Sequence, residues 1–129
     1  MRIRPIMTQK ILVVEDNELN QKLFCDLLQS SGYEVHDVRD GALAIDAAKK
    51  IMPSLIIMDI QLPSISGIDL TKWMKQDQAL SQIPILVITA FAMSRDEKRI
   101  LESGCDAYMS KPISIKPFLE KVTELIKVP

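Results

Sequence analysis

A doubly wound α/β domain, a parallel sheet with helices on both faces, follows from three observations. Short apolar runs rich in β-branched residues alternate with longer amphipathic runs along the whole chain. No linker, internal repeat or low-complexity stretch interrupts that alternation. The polar residues capable of chemistry fall where the apolar runs end.

Ile11-Leu12-Val13-Val14 is uninterrupted and β-branched, as a strand buried on both faces should be. It ends in Glu15-Asp16-Asn17, after which Leu19, Leu23, Phe24, Leu27 and Leu28 recur at helical spacing until Gly32. Glu34 to Val38 predicts a second strand, and Asp40-Gly41 turns into a helix reaching about Ile51. Pro53 punctuates before Leu55-Ile56-Ile57-Met58, a third strand that closes on Asp59. Residues 63–67 read as a loop, followed by a helix carrying Ile68, Leu70, Trp73 and Met74. Pro84 introduces a fourth strand from Ile85 to Thr89, and a polar helix runs from about Ser94 to Ser103, ended by Gly104. A brief strand, Ala107 to Met109, leads to Ser110-Lys111-Pro112. The last helix places Ile115, Phe118, Leu119, Val122, Leu125 and Ile126 on one face. Strict β/α alternation requires parallel strands joined by right-handed crossovers.

The bulk properties agree with one globular domain. Of 129 residues, 47% are apolar and 26% charged, which excludes a disordered or fibrous chain. Sixteen Lys and Arg nearly cancel seventeen Asp and Glu, and no basic face suits nucleic acid or an acidic membrane. Apolar runs are far shorter than the roughly 20 residues of a membrane span, and residues 1–7 lack the apolar core of a secretory signal. A cytoplasmic protein is expected, with Cys25 and Cys105 as reduced thiols, since they show no metal or disulfide spacing. Residues 1–7 read as an extension to a domain spanning residues 8–128.

In such sheets ligands sit beyond the carboxyl ends of the strands. Glu15-Asp16, Asp59, Thr89 and Lys111 all fall there. Three carboxylates at one edge repel each other, and a hard divalent cation relieves the repulsion. For Mg²⁺ the direct ligands would be Asp16 and Asp59, with Glu15 holding a bound water and the backbone carbonyl of Gln61 completing the set. Lys111 adds a fixed positive charge opposite the metal, which makes Asp59 a good acceptor for a phosphoryl group as an aspartyl phosphate. The Thr89 hydroxyl is placed to bond a phosphoryl oxygen.

These residues resemble the receiver domains of two-component response regulators. The likeness covers Lys10 to Ile126 and rests on Val14-Glu15-Asp16-Asn17, Met58-Asp59-Ile60-Gln61-Leu62-Pro63, Ile88-Thr89-Ala90 and Ser110-Lys111-Pro112, in that order and spacing. It implies a flavodoxin-like fold, five strands in the order 2-1-3-4-5 flanked by five helices. Asp59 would be the phosphoacceptor, Glu15 and Asp16 would serve the metal, and Thr89, Tyr108 and Lys111 would form the switch. The Lys111–Pro112 bond would be cis. Histidine kinases or phosphotransfer proteins would meet Asn20, Leu23 and Pro112, and downstream protein targets would read a face that includes Tyr108. Side chains two positions beyond the acceptor and beyond the Thr, here Gln61 and Phe91, would flank the water that hydrolyses the phosphoryl group. Glu15 to Asn20, residues 89–93 and residues 110–114 further resemble the DivK-type single-domain regulators of alphaproteobacterial cell-cycle control. The expectation is a monomeric signalling module with no output domain, whose only catalysis is self-phosphorylation from small donors and slow self-dephosphorylation.

Simpler readings stand beside these. Glu15-Asp16 alone would serve to cap a helix, Thr89 alone suits a strand, and Tyr108 alone would fill core. His36 reads as a surface residue, the Met residues as packing, and Trp73 as either buried or exposed. What lifts the acids is their coincidence with Lys111 at one sheet edge. A Mg²⁺-dependent aspartyl-phosphate phosphohydrolase is the alternative function, but it needs an acid two residues after the nucleophile, where Gln61 stands. A nucleotide or flavin binder would need a phosphate loop after the first strand, where Glu15-Asp16-Asn17 stands.

Overall fold

The structure, a computed structural model, describes residues 8–90 and 95–126, with side chains for all of these except 95 and 96. The elements are β1 (Lys10–Val14), α1 (Glu18–Ser30), β2 (Glu34–Val38), a 3-10 turn (Gly41–Leu43), α2 (Ala44–Ile51), β3 (Leu55–Asp59), α3 (Gly67–Gln76), β4 (Ile85–Thr89), α4 (Arg95–Glu102), β5 (Ala107–Ser110) and α5 (Ile115–Ile126). All strand pairs are parallel, in the order β2-β1-β3-β4-β5.

Alternation along each strand divides the core between two layers. On one face Leu12, Val14, Ile56, Met58, Ile85 and Val87 meet Ala44 and Ala48 of α2, Leu70 and Met74 of α3, and Ile100 of α4. On the other, Ile11, Val13, Ile57, Leu86 and Ile88 meet Phe24 and Leu28 of α1 and Phe118 and Val122 of α5. The rings of Phe24 and Phe118 lie 5.3 Å apart, centroid to centroid, and lock those two helices together. β3 and β4 are wholly buried and β1 nearly so, which explains their continuous apolar runs, whereas edge strand β2 is half-buried and mixes polar residues in.

Local chemistry sets the ends. Asn17 caps α1, its side-chain oxygen accepting from the Asn20 amide at 2.9 Å, and Ser66 caps α3 through the Ile68 amide at 3.1 Å. Gly32 follows α1 with φ +97°, a left-handed conformation that favours glycine.

Helical phase corrects several core assignments. Leu19, on the solvent side of α1 with Lys22, Leu23 and Asp26, is 79% exposed. Trp73 shares the outer face of α3 with Asp69, Lys72 and Gln76, so of its two readings the structure takes the exposed one. Ile115, at the first position of α5, projects past the sheet into solvent. Met52 is exposed as well, because it leaves α2 in a left-handed conformation with φ 49°. β5 runs one residue further than expected, to Ser110.

Candidate functional site

Parallel register brings four strand ends to one edge. Asp59 pairs with Ile88 and Thr89 with Ser110, so Asp59 closes β3, Thr89 closes β4 and Lys111 follows β5. The chain beyond each strand is tied to its neighbour. The Glu15 amide donates to the Val38 carbonyl at 3.1 Å, Ile60 to Ile88 at 3.1 Å, and Lys111 to Thr89 at 2.8 Å. These bonds continue the sheet by one residue and place side chains that are far apart in sequence over a common spot.

Glu15, Asp59 and Thr89 are buried there, and Lys111 is half-buried. Lys111 Nζ stands 3.5 Å from Asp59 Oδ1 and 3.7 Å from Glu15 Oε1. Glu15 Oε2 accepts from the Asn17 amide at 3.0 Å, whereas the buried Oε1 has no hydrogen-bond partner. The Gln61 amide donates to Asp59 Oδ1 at 3.2 Å, which folds the chain after β3 back over the Asp59 carboxylate. Burial, and next the Asp59 carboxyl beside it, push the Glu15 carboxyl up to about 7, against the pull of the Asn17 amide and Lys111. Two acids here share one cation at a distance too long for tight ion pairs.

Asp16 is exposed beside this pair. Among the described residues no three His, Cys, Asp or Glu side chains stand together as a metal cluster. The structure thus brings together Glu15, Asp59, Thr89 and Lys111, with Asp16 and Gln61 at the rim. The Lys111–Pro112 peptide is cis. Asn20, Leu23 and Pro112, with Phe24, Lys111 and Ile113, line a pocket of about 350 Å³, which shares Lys111 with the acid site. Tyr108 packs its ring against the core below α4 while its hydroxyl donates to the Glu97 carboxylate, and that bond holds the phenol proton above its ordinary range. Phe91 lies outside the described residues. His36 is half-exposed on β2 and bonds Glu34 at 2.6 Å.

Sequence reading missed two side chains. Gln21 is buried and bridges α1 to β2, its amide nitrogen donating to Asp37 at 2.5 Å and its oxygen accepting from Arg39 Nε at 3.1 Å. The available signal was a polar residue in the buried stripe of Gln21, Phe24 and Leu28. Glu97, the Tyr108 partner, carried no signal, since an acid on a polar helix is unremarked.

Residues 11–123 match the family model of the response regulator receiver domain. The chain belongs to that family. It is 53% identical over 116 residues to the polar-differentiation response regulator DivK of Brucella ovis and of Brucella suis, covering 90% of this chain and 94% of each relative. Among solved structures, a putative response regulator from Chloroflexus aurantiacus superposes with a TM-score of 0.89 at 27% identity, over 93% of this chain and 98% of that one. The receiver domain of a Pseudomonas aeruginosa sensor histidine kinase superposes at 0.87 with 32% identity, again over 93% and 98%, and its active-site cleft is described with a coordinated magnesium ion. This receiver chain is therefore a signalling regulator, and among its described residues no helix is long and apolar enough to cross a membrane.

Proposed function

We propose that the chain takes a phosphoryl group on Asp59 from a histidine kinase or phosphotransfer protein and signals through phosphorylation-dependent protein contacts. The observation that carries this reading is the loose Glu15–Asp59–Lys111 arrangement with an unpartnered, buried carboxylate oxygen. A structural ion pair would close to a distance like the 2.7 Å of Lys75 and Asp106, whereas this one stands at 3.5 Å and 3.7 Å and leaves a buried carboxylate oxygen without a hydrogen bond. A hard cation would answer both needs, and Mg²⁺ would be held by Asp16 and Asp59, with Glu15 through water and the Gln61 carbonyl. When bound, it supplies positive charge that neutralises phosphoryl oxygens.

The protein's own part is positional. An Asp59 carboxylate oxygen attacks phosphorus as the donor's P–N or P–O bond breaks, and the leaving imidazole or carboxylate carries away the electron pair. Lys111 faces the oxygen that gains charge, and the Thr89 hydroxyl is poised to bond the transferred group. Tyr108, Thr89 and Lys111 then relay occupancy to α4 and β5. The pocket of Asn20, Leu23 and Pro112 suits a donor helix approaching the acid edge. Gln61 at the rim tunes hydrolysis, together with Phe91. The receiver unit spans residues 8–128, with 1–7 an extension. Likeness to the polar-differentiation regulators supports a role in cell-cycle or division control. The chain would act as a cytoplasmic monomer.

Incubation with acetyl phosphate and Mg²⁺ should add one phosphoryl group at Asp59, read by mass spectrometry, and Asp16→Ala should need far more Mg²⁺. Labelling of Asp59→Asn as fast as wild type would refute the assignment.

A further inference from the structure

We propose that Gly67 is a positioning residue for Asp59: its missing side chain is the space in which the Asp59 peptide is seated. The inference rests on the reading of Asp59 as acceptor. A Cβ added at Gly67 would fall 2.1 Å from the Asp59 carbonyl oxygen and 2.9 Å from both Asp59 C and Ile60 Cα. All three are backbone atoms, so no side chain can rotate away. Gly67 has none of the left-handed φ that marks Gly32 and Gly104. Space is therefore the reason for glycine here, and conformation is not.

Gly67 is held from the other sides as well. Its amide donates to the Ile60 carbonyl at 2.9 Å, and its own carbonyl accepts from the buried Thr71 hydroxyl at 2.8 Å. The first turn of α3 is in this way clamped on the two peptides that follow and include the acceptor. Ordinary contact is about 3.4 Å or more, so a methyl group at 67 has to displace the Asp59–Ile60 peptide by roughly 1 Å. Gly41 offers a useful contrast. The nearest atoms to a Cβ there are side-chain methyls of Ile65 (2.6 Å), Leu70 (3.0 Å) and Leu62 (3.2 Å), and none is backbone. The Asp59 carboxylate meets Lys111 at 3.5 Å and the Gln61 amide at 3.2 Å, with the Glu15 carboxyl beside it, so its aim depends on where the peptide holds it.

The test compares Gly67→Ala with Gly32→Ala, a position remote from the acids where a Cβ meets nothing within 4 Å and only backbone strain is added. Stability would be measured by urea denaturation, and labelling by acetyl phosphate with Mg²⁺ at a temperature where circular dichroism shows every variant folded. Both variants should be destabilised. Only Gly67→Ala should lower the saturated labelling rate, by roughly 10- to 100-fold, with the half-saturating donor concentration little changed. Thr71→Val, which removes the hydroxyl bond to the Gly67 carbonyl without adding bulk and leaves the helical backbone in place, should slow labelling by roughly 2- to 5-fold, and it decides the matter should Gly67→Ala not fold. The inference is overturned when Gly67→Ala labels within twofold of wild type, when Gly32→Ala loses as much rate, or when Thr71→Val keeps the full rate while Gly67→Ala is unfolded. If label appears and Asp59→Asn abolishes it, those outcomes count against Gly67 alone. Wild-type protein that takes no label at Asp59 ends both readings together.

Discussion

The two edges of the sheet each hold a lysine among acids, and they hold it differently. Near the amino ends of β4 and β5, Lys75 Nζ bonds Asp106 Oδ2 at 2.7 Å and the Ile83 carbonyl at 2.8 Å, and the same Asp106 oxygen accepts from the Ile85 amide at 2.8 Å. At the carboxyl edge Lys111 stands 3.5 Å and 3.7 Å from its acids, and Glu15 Oε1 lacks a hydrogen-bond partner. Tight, hydrogen-bonded geometry joins α3 to the loop before β5. Loose geometry with an orphaned oxygen leaves buried charge imperfectly matched, which is what the proposed Mg²⁺ site requires.

Opposite signs of mutational effect would sharpen that contrast most. Asp106→Ala removes an acceptor from both Lys75 and the Ile85 amide, and should destabilise the protein by about 1–3 kcal/mol, a figure lowered for the partial exposure of Asp106. Glu15→Gln removes a buried charge facing Asp59, and should stabilise it by about 1 kcal/mol at pH 8 without Mg²⁺ while weakening Mg²⁺ binding. Urea denaturation in EDTA measures both. Should Glu15→Gln destabilise as Asp106→Ala does, the two edges are alike and the contrast is broken.

The Glu15 carboxyl gives the contrast a pH signature. Its folded value of about 7 lies above the ordinary 4.5 of the unfolded chain. Between those values the folded state binds more protons, so stability contributed by this group falls as pH rises. Its contribution is complete below about pH 4.5 and lost above about pH 7. Metal-free protein should therefore lose roughly 1–3 kcal/mol across that window, and Glu15→Gln should lose much less. Mg²⁺ added at pH 8 should restore stability to wild type and not to the variant. Identical pH profiles for the two proteins would show that Glu15 is not the group responsible.

What the sequence disclosed follows the same division. β3 and β4 are buried on both faces, so their apolar runs were plain, and Asp59 and Thr89 stood out as polar residues closing such runs. Strand ends share an edge in any parallel sheet, so the gathering of Glu15, Asp59, Thr89 and Lys111 was legible without distances. Which carboxylates are buried was not, because Asp16 and Glu15 are neighbours whose side chains diverge across one backbone step. Exposure on the helices was hidden too. Leu19 and Trp73 are apolar residues on outer faces, and composition at the right spacing does not reveal phase against the sheet. The Tyr108–Glu97 bond joins residues from a strand and a helix whose relative rotation no local pattern encodes.

The mildest expected effect lies at the turn after α3, again on the satisfied side of the molecule. Asp77 Oδ1 accepts from the Ala79 amide at 2.8 Å and the Leu80 amide at 3.2 Å, while its Oδ2 meets Lys49 at 3.1 Å. Lys49 first, then the Ala79 amide, hold its carboxyl below the usual range. A lowered acid stabilises the fold above its unfolded value, and that contribution is lost as pH falls through the lower folded one. Asp77→Asn keeps an oxygen for the two amides and discards only the ion pair, so neutral-pH stability should barely change, with any loss disappearing at high salt. Asp77→Ala discards the turn bonds as well and should lose more, independently of salt. Both variants should label at Asp59 as wild type does, since nothing here touches the acid edge. If Asp77→Asn proves as damaging as Asp77→Ala, the Lys49 pair outweighs the turn bonds, and charge matters at the satisfied edge as it does at the other.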